Sequence, residues 1–483
     1  MTQSIMVQVG QCGNQIGCRF WDLCLREHSF HDQKGIYNDS VSSFFRNTDS
    51  RFDSGADIPV GQGKSKISNL KARAILVDME EGVINEMLQT RLGSIFDHKQ
   101  LITDVSGSGN NWAVGNKEYG TLYKDQIIEQ VRKAAEACDC LQCFFIVHSM
   151  GGGTGSGLGT AILALLKDEY PEVYRFVTAV YPSQDDDVIT SPYNSVLAMR
   201  QLTEYADCVL PIDNQSLVNI YDKVSQAQST NKFSSDRSVK VDSLVTSNKG
   251  CLEQKKEKPF DSMNNIVANT ILNMTSSSRF EGSLNVDLNE IAMNLVPFPK
   301  MHYLISSVAP LYISKDVGLP PRRLDQAFGD LFTKDHQLVT ADPARSLYLA
   351  CALMVRGSDV SVSDLRRNID KLKANLNFVP WNMEGWKTGL CNFPPVGQPY
   401  SLLCLSNNTC VQHAFRNLRE RFSKLYKRKA HVHHYERVDG FDLSLFDEGR
   451  ESLNSVIAEY QEMENIVFKS QDGVSNVPRL KLL

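Results

Sequence analysis

The residues best suited to chemistry lie between His148 and Gly159. There, Ser149 and Met150 precede six glycines, Gly151, Gly152, Gly153, Gly155, Gly157 and Gly159, with Thr154 and Ser156 among them. Glycine has no Cβ, so its backbone can lie against a ligand in conformations other residues avoid. Successive amides can then point into one concavity, and the two hydroxyls add donors. Such a cradle binds anions, and its length suits a phosphate chain.

The flanking sequence says how the cradle is held. Residues 144–147 (FFIV) form a short buried-strand pattern, and AILALLKDEY (161–170) is a good helix former with apolar spacing. Strand, glycine turn and helix follow in order, so the helix adds its positive end to the cradle. The GxxxxGK[ST] phosphate loop is absent: Gly63-Lys64-Ser65 matches its end, but Ile58 occupies its first glycine position. The dinucleotide fingerprint GxGxxG also fails, at Leu158 in one frame and Thr160 in the other. A flexible glycine linker is the plain alternative, but a linker would not be fitted between a strand and a helix.

The whole chain bounds the answer. Its 483 residues predict two to four domains or lobes, and 42% hydrophobic content supports a large core. A net charge of −5 gives no footing for nonspecific nucleic-acid binding. The opening MTQSIMVQVG carries no cationic signal-peptide start, and the apolar run 348–355 is too short for a membrane span. We therefore expect neither nucleic acid nor membrane as partner. Of the 12 cysteines, Cys138, Cys140 and Cys143 cluster, but no second pair follows at zinc spacing, so they read as reduced packing cysteines.

In chain order, residues 4–9 read as a strand, and GQCGNQIG (10–17) turns it into a helix with Phe20, Trp21, Leu23 and Cys24. Gln11 can bond phosphate, and Gln15 lies one turn on. Residues 29–70 are polar and predict a long surface loop. Residues 72–77 are the next strand, ending in Asp78-Met79-Glu80-Glu81. Carboxylates at that end of a strand sit where open α/β sheets bind ligands. Asp78 and Glu80 could hold Mg²⁺ while phosphates and water supply the other oxygens, or could simply be acids at a helix start. SGSGNNWAVG (106–115) is a second Gly/Asn loop able to close over a γ-phosphate. Residues 176–180 and 208–212 read as strands, 127–138 and 194–205 as helices. Between them, PSQDDDVITSPYN carries three consecutive acids. Asn214 follows the last strand, and its amide suits a purine edge. Alternation of strand and helix predicts a mostly parallel, doubly wound sheet.

Five segments follow. Residues 1–222 are the nucleotide-binding domain, and 223–259, rich in Ser, Lys, Asp and Gln, are a flexible insertion. Residues 260–279 carry a central helix with Met263, Ile266, Val267, Thr270, Ile271 and Met274 at 3–4 spacing. Residues 280–408 are a second α/β domain. Residues 409–483 are helical, with apolar stripes Phe415, Leu418, Phe422, Leu425 and Leu453, Val456, Ile457, Tyr460, Met463. Lys424 to Lys429 is a solvated face or a partner patch, and His431, His433 and His434 lack companion metal ligands.

MVQVGQCGNQIG, SGNNWAVG, HSMGGGTGSG, SPYN, IDNQSL, MNLVPFP and KRKAHVHHY run along almost the whole chain and resemble tubulin. The resemblance implies a tubulin-like fold: a GTP-binding parallel-sheet domain, a central helix, a second α/β domain and C-terminal helices. It implies GTP or GDP with Mg²⁺. Gln11 and Cys12 would lie at the phosphates and Gln15 near the base. Ser149, Gly152, Gly153, Thr154, Gly155 and Ser156 would cradle the phosphates, with Asn110 at the γ-phosphate. Glu80 and Asp78 would belong to the magnesium shell. Asn214 and Asn264 would read the guanine edge, and Phe260 would stack on the base. Tubulins usually have Glu before PYN, gripping the ribose; here Ser191 stands there, and Asp187 or Ser191 is left to bond a sugar hydroxyl.

The segment GSLNVDLNEI (282–291) carries a further implication. In tubulins it lies opposite the nucleotide and enters the next subunit's site along a filament. Alpha-tubulin has there a Glu that positions water; beta-tubulin has Lys. Glu290 is the alpha-like choice, so it is expected to be catalytic in trans, the isolated monomer being a poor GTPase. A solvent-facing helical Glu is the alternative. Alpha- and beta-tubulins end in acidic tails, whereas this chain ends QDGVSNVPRLKLL, so tail-based recruitment is not expected. The resemblance implies a GTP-binding structural subunit of centrioles and basal bodies, within the cytoskeleton and centrosome of the cytoplasm. Its role would be centriole duplication and doublet or triplet microtubules, with delta-tubulin, other tubulins and centriolar proteins as partners. A nucleotide-locked, non-polymerising centrosomal adaptor is the alternative. A metabolic enzyme is disfavoured, since no second substrate constellation is present.

Overall fold

The computed structural model describes residues 2–29, 39–49, 57–58, 67, 69–183, 186–235, 259–314, 317–318 and 323–471. Its first half is built on strands β1 (Gln3–Val9), β2 (Ala74–Asp78), β3 (Leu101–Thr103), β4 (Leu141–Ser149), β5 (Tyr174–Tyr181) and β6 (Cys208–Asp213). They form one sheet in the order β3-β2-β1-β4-β5-β6, and every neighbouring pair is parallel. Helices α1 (Gly10–Ser29), α2 (Lys124–Glu136), α3 (Gly159–Glu169), α4 (Ser191–Tyr205) and α5 (Asn214–Ser235) link or follow the strands. A parallel sheet covered on both faces needs strands that are apolar throughout. Accordingly, all seven residues of β1 and Cys143 to His148 of β4 are buried. The connections run one way from β1 and the other way from β4. The gap between these two strands is therefore the topological switch point, where doubly wound sheets bind ligands.

Helix α6 (Pro259–Met274) follows, then β7 (Gly282–Leu284), helix α7 (Leu288–Leu295), β8 (Ile305–Ala309), β9 (Tyr348–Gly357), β10 (Trp386–Cys391) and β11 (Tyr400–Asn408). The second sheet has the order β7-β10-β9-β11-β8 and is mixed, with β9 and β10 parallel and the other pairs antiparallel. Val267, Ala268, Ile271 and Leu272 of α6 are fully buried in a core shared with Phe20 and Cys24 of α1 and Leu403 and Leu405 of β11. Arg19 of α1 pairs with Asp261 of α6 at 2.6 Å. Below them, Glu27 is clamped between Arg279 at 2.7 Å and Arg356 of β9 at 2.9 Å, all three nearly solvent-free. Burial alone would raise the Glu27 pKa, yet Arg356 and Arg279 hold it below the ordinary carboxylate value.

Helices α8 (Val411–Tyr426) and α9 (Ser444–Gln471) pack on α4 through the two apolar stripes, with Phe415, Phe422, Leu453, Val456 and Tyr460 buried. The architecture thus matches the tubulin-like α/β organisation expected from sequence. Three local expectations change. Within 29–70, Phe45–Thr48 pairs with Asp57–Ile58 and with Leu70–Ala72, because Phe44 and Phe45 bury their rings against Phe20 and Trp21. Helix α5 runs to Ser235, so the segment expected to be a flexible insertion from 223 begins as helix. Residues 236–258 and the C-terminal 472–483 lie outside the described residues. Cys143 is buried, but Cys140 is exposed and so is not a packing residue. Among the described residues no group of three or more His, Cys, Asp or Glu could hold a metal, and no helix is long and apolar enough to cross a membrane.

Candidate nucleotide site and the opposite end of the sheet

A cavity of about 350 Å³ opens at the switch point, against the C-terminal ends of the parallel strands. Gly10, Gln11 and Cys12 enter it from β1, Asp78 and Glu80 from β2, Ser149 to Gly155 from β4, Val180 and Pro182 from β5 and Asn214 from β6. Two glycines are required by space. Gly10 has φ +72°, and a β-carbon there would lie 3.1 Å from Gly155 N. At Gly153 a β-carbon would lie 2.6 Å from Asn111 N. The two strand-to-helix turns and the 106–112 loop thus pack backbone to backbone, which is what a shared amide-lined concavity demands.

Side chains then fix the loops. Asn194, fully buried on α4, donates to Gly151 O at 2.8 Å and to Asn110 O at 2.8 Å, and accepts from Trp112 N at 2.9 Å. The Ser108 and Thr154 hydroxyls are 2.9 Å apart. Asn110 is held at φ 55° with its neighbour Gly109 at φ 56°. His148 lies beneath the loop, buried, and burial lowers its pKa from 6.5 to about 4, so the imidazole is neutral. Burial also pushes the Cys12 thiol up to about 12, which keeps it protonated.

The lining includes Asp78, Glu80 and Asp186 but, among its described residues, no Lys, Arg or His. Asp78 is nearly buried, with Oδ2 unpartnered. Its pKa is raised to about 6, by burial first and by Glu80 in part, against a hydrogen bond from Glu80 N. A polyphosphate in such a pocket needs a divalent cation, and two carboxylates with room for phosphate and water oxygens suit Mg²⁺. The residues present therefore fit the ion.

Of the residues expected from sequence, Gln11, Cys12, Asp78, Glu80, Asn110, Ser149, Gly152, Gly153, Thr154, Gly155 and Asn214 line this cavity. Ser156, Gln15, Asp187, Phe260 and Asn264 do not. Ser156 is fully buried and donates to Gly152 O, so it shapes the loop from behind. Asn264 is 8% exposed, with Nδ2 buried and unpartnered. Phe260 is 60% exposed. Asp186, not Asp187, borders the cavity. Ser191 is buried with its hydroxyl unpartnered and is likewise absent from the lining. Ser108, Asn194 and Asp186 were not singled out from sequence. Each lay within a stretch already noted, Ser108 in the 106–115 loop, Asp186 in the acidic run and Asn194 in SPYN.

A larger cavity, about 590 Å³, opens beside the start of β2 among Arg46, Lys71, Arg73 and Glu136. Two of its cations are tied to backbone: Lys71 donates to Ser94 O and Phe96 O, and Arg73 Nε to Ser42 O. It has no glycine loop, so we place the chemistry at the switch point.

Glu290 lies in the first turn of α7, capped by Asp287. Gln142 at the start of β4 donates to Asp287, and Tyr174 at the start of β5 donates to Asn289. Helix α7 is therefore fixed to the N-terminal ends of the same strands whose C-terminal ends form the cavity. The seven steps from Gln142 to Ser149 span about 23 Å at strand rise, beyond the reach of a Glu side chain. Glu290 is also not free in solvent: its Oε2 meets Lys387 Nζ at 3.0 Å.

Comparison with known proteins agrees with this layout. Residues 3–222 match the Tubulin/FtsZ family GTPase domain, and residues 299–420 match the tubulin C-terminal domain. The chain is 64% identical to the mouse (Mus musculus) tubulin epsilon chain and 63% identical to the human (Homo sapiens) one, each over 100% of both chains. It is 31% identical to the tubulin beta chain of Porphyra purpurea over 98% of this chain and 95% of that one. A glycine-lined cavity at the switch of a parallel sheet, a second mixed sheet across a central helix and similarity to epsilon chains from end to end place this chain in the tubulin family.

Proposed function

We propose that the chain is a GTP-binding structural subunit of centrioles and basal bodies, acting in centriole duplication and in doublet or triplet microtubules. Residues 1–222 hold the nucleotide. The amides of Gly10 to Cys12 and of Gly151 to Gly155 take the phosphates, and Asp78 and Glu80 hold Mg²⁺, which neutralises charge on the transferred phosphoryl. Asn214 and Asn264 select guanine, and the exposed ring of Phe260 supplies stacking that any purine would share.

Hydrolysis belongs to a contact between subunits. The observation that carries this is the opposition of the two ends: the cavity lies at one end of the sheet and Glu290 at the other, so each chain can complete only a neighbour's pocket. There the Glu290 carboxylate orients a water and draws off its proton. Delta-tubulin is the partner we expect along the filament.

The test is to measure guanine nucleotide in the purified chain, then its turnover alone and with delta-tubulin. Turnover that rises with subunit contact supports the proposal. Bound nucleotide that never turns over in any assembly favours the non-polymerising adaptor, and a folded chain without guanine nucleotide refutes both.

A further inference from the structure

We propose that Lys387 is delivered across the subunit contact together with Glu290, and that its ammonium faces the neighbour's phosphates. This rests on the reading of Glu290 given above. Lys387 stands on β10, opposite Ala352 of β9, so strand register fixes its backbone. Its Nζ is 3.0 Å from Glu290 Oε2, an oxygen shut off from solvent. The pair as a whole is accessible, the two side chains being 29% and 41% exposed for Lys387 and Glu290. One carboxylate oxygen therefore faces the lysine as an ion pair without a hydrogen bond, and the other remains to engage water. Wherever the carboxylate goes, the ammonium goes within a few ångströms.

Electrostatics gives the pairing a purpose. The receiving cavity presents Asp78, Glu80 and Asp186, and its described lining supplies no cationic side chain. A bare carboxylate brought to a polyphosphate beside three acids meets a net negative charge that one divalent cation offsets only in part, and like charges at close range disfavour docking. The Lys387–Glu290 pair is neutral as a unit and carries its positive end next to the reacting centre. Removal of the ammonium should weaken the contact, whereas removal of the carboxylate charge should not. The two residues have separable roles: Glu290 acts on water, and Lys387 offsets phosphate charge.

The experiment uses the full chain with GTP and Mg²⁺. Self-association is followed by sedimentation equilibrium and phosphate release as a function of chain concentration, for wild type, Lys387→Gln, Lys387→Arg and Glu290→Gln. Retention of each variant's own nucleotide reports folding, since Lys387 is remote from its own cavity; a Lys387→Gln chain that fails this check is replaced by Lys387→Met, which keeps the aliphatic stem. We expect Lys387→Gln to weaken association about tenfold or more and to slow phosphate release at high concentration. Lys387→Arg should restore association. Glu290→Gln should abolish the concentration-dependent release yet associate as well as wild type or better. If the neutral Lys387 variant associates and hydrolyses like wild type while Glu290→Gln is inactive, the proposal for Lys387 is overturned and that for Glu290 stands. If Glu290→Gln retains full activity, or wild type associates neither with itself nor with delta-tubulin, the trans reading itself fails and the pair loses its role.

Discussion

Gln142 and Ser149 stand at opposite ends of one strand and belong to opposite ends of the molecule. Gln142 donates to Asp287, the cap of the helix that bears Glu290, whereas Ser149 borders the glycine-lined cavity. A parallel sheet makes this polarity general. Five of the six strands, all but β3, bring their C-terminal ends to the cavity, and the N-terminal ends of β4 and β5 anchor α7. In the proposed head-to-tail contact α7 of one chain would lie over the cavity of the next, a heterologous arrangement of the kind that propagates rather than closes.

The first prediction follows from this separation. Glu290→Gln should leave nucleotide affinity unchanged, because the residue lies a strand's length from its own cavity. It should lower phosphate release from assembled protein by about a hundredfold or more, the usual weight of a positioned general base. Nucleotide titration and single-turnover release on the same preparation check both halves.

A second concerns the loop contacts. A β-carbon at Gly153 would lie 2.6 Å from Asn111 N and 2.8 Å from Asn111 O, backbone atoms that cannot rotate away. Gly153→Ala should therefore push the 106–112 loop off the glycine turn and empty the cavity of nucleotide. Extraction and chromatography should find less than about a tenth of the wild-type guanine content. Melting should also fall toward that of the nucleotide-free chain, since a ligand at 1,000 times its dissociation constant contributes about 4 kcal/mol.

Much of this was readable from the chain itself, and the misses have a common physical origin. The glycine turn could be read because close backbone approach tolerates few residues other than glycine, and because strand and helix patterns flank it. The C-terminal helices could be read because Phe415, Leu418 and Phe422 repeat at helical spacing. Strand β3 escaped because Leu101–Thr103 is too short to show a period. Asn194 and Ser108 escaped because their partners lie up to 241 residues away, and local sequence carries no mark of such a bond. Ser156 was expected to face the ligand because a hydroxyl in a glycine loop can point either way; its bond to Gly152 O turns it inward.

A third prediction concerns acid. His148 is neutral in the folded chain, its pKa lowered from 6.5 to about 4 by burial. Below pH 6.5 the unfolded chain binds a proton that the folded chain refuses, so its stabilising effect is present above that pH and lost as pH falls. The loss is about 1.4 kcal/mol per pH unit until the folded imidazole protonates near pH 4. His28 and His302 shift in the same direction through burial and add to the slope. Denaturant melts between pH 7 and pH 4.5 should be shallower in pH for His148→Asn than for wild type, by about one proton.

The last prediction concerns the clamp between the two sheets. Glu27 on α1 holds Arg279 beyond α6 and Arg356 on β9, at 2.7 Å and 2.9 Å, with almost no solvent access. Arg356 also donates to Phe393 O and Asn273 Oδ1, and the Phe280 ring stacks on Phe393 at 4.1 Å with Arg279 over its face. Arg356→Leu would leave Glu27 with one cation in a site where a charge cannot reach water. Breaking one side of a buried pair typically costs about 3–5 kcal/mol, more than an exposed pair contributes. The exposed pair Arg132–Glu136 gives the control: Arg132→Leu should leave the midpoint close to that of wild type. Urea midpoints of the two variants, read on protein loaded with the same nucleotide, decide the matter. Equal midpoints would mean that the clamp does not join the two sheets energetically, and that the apolar face of α6 alone does so.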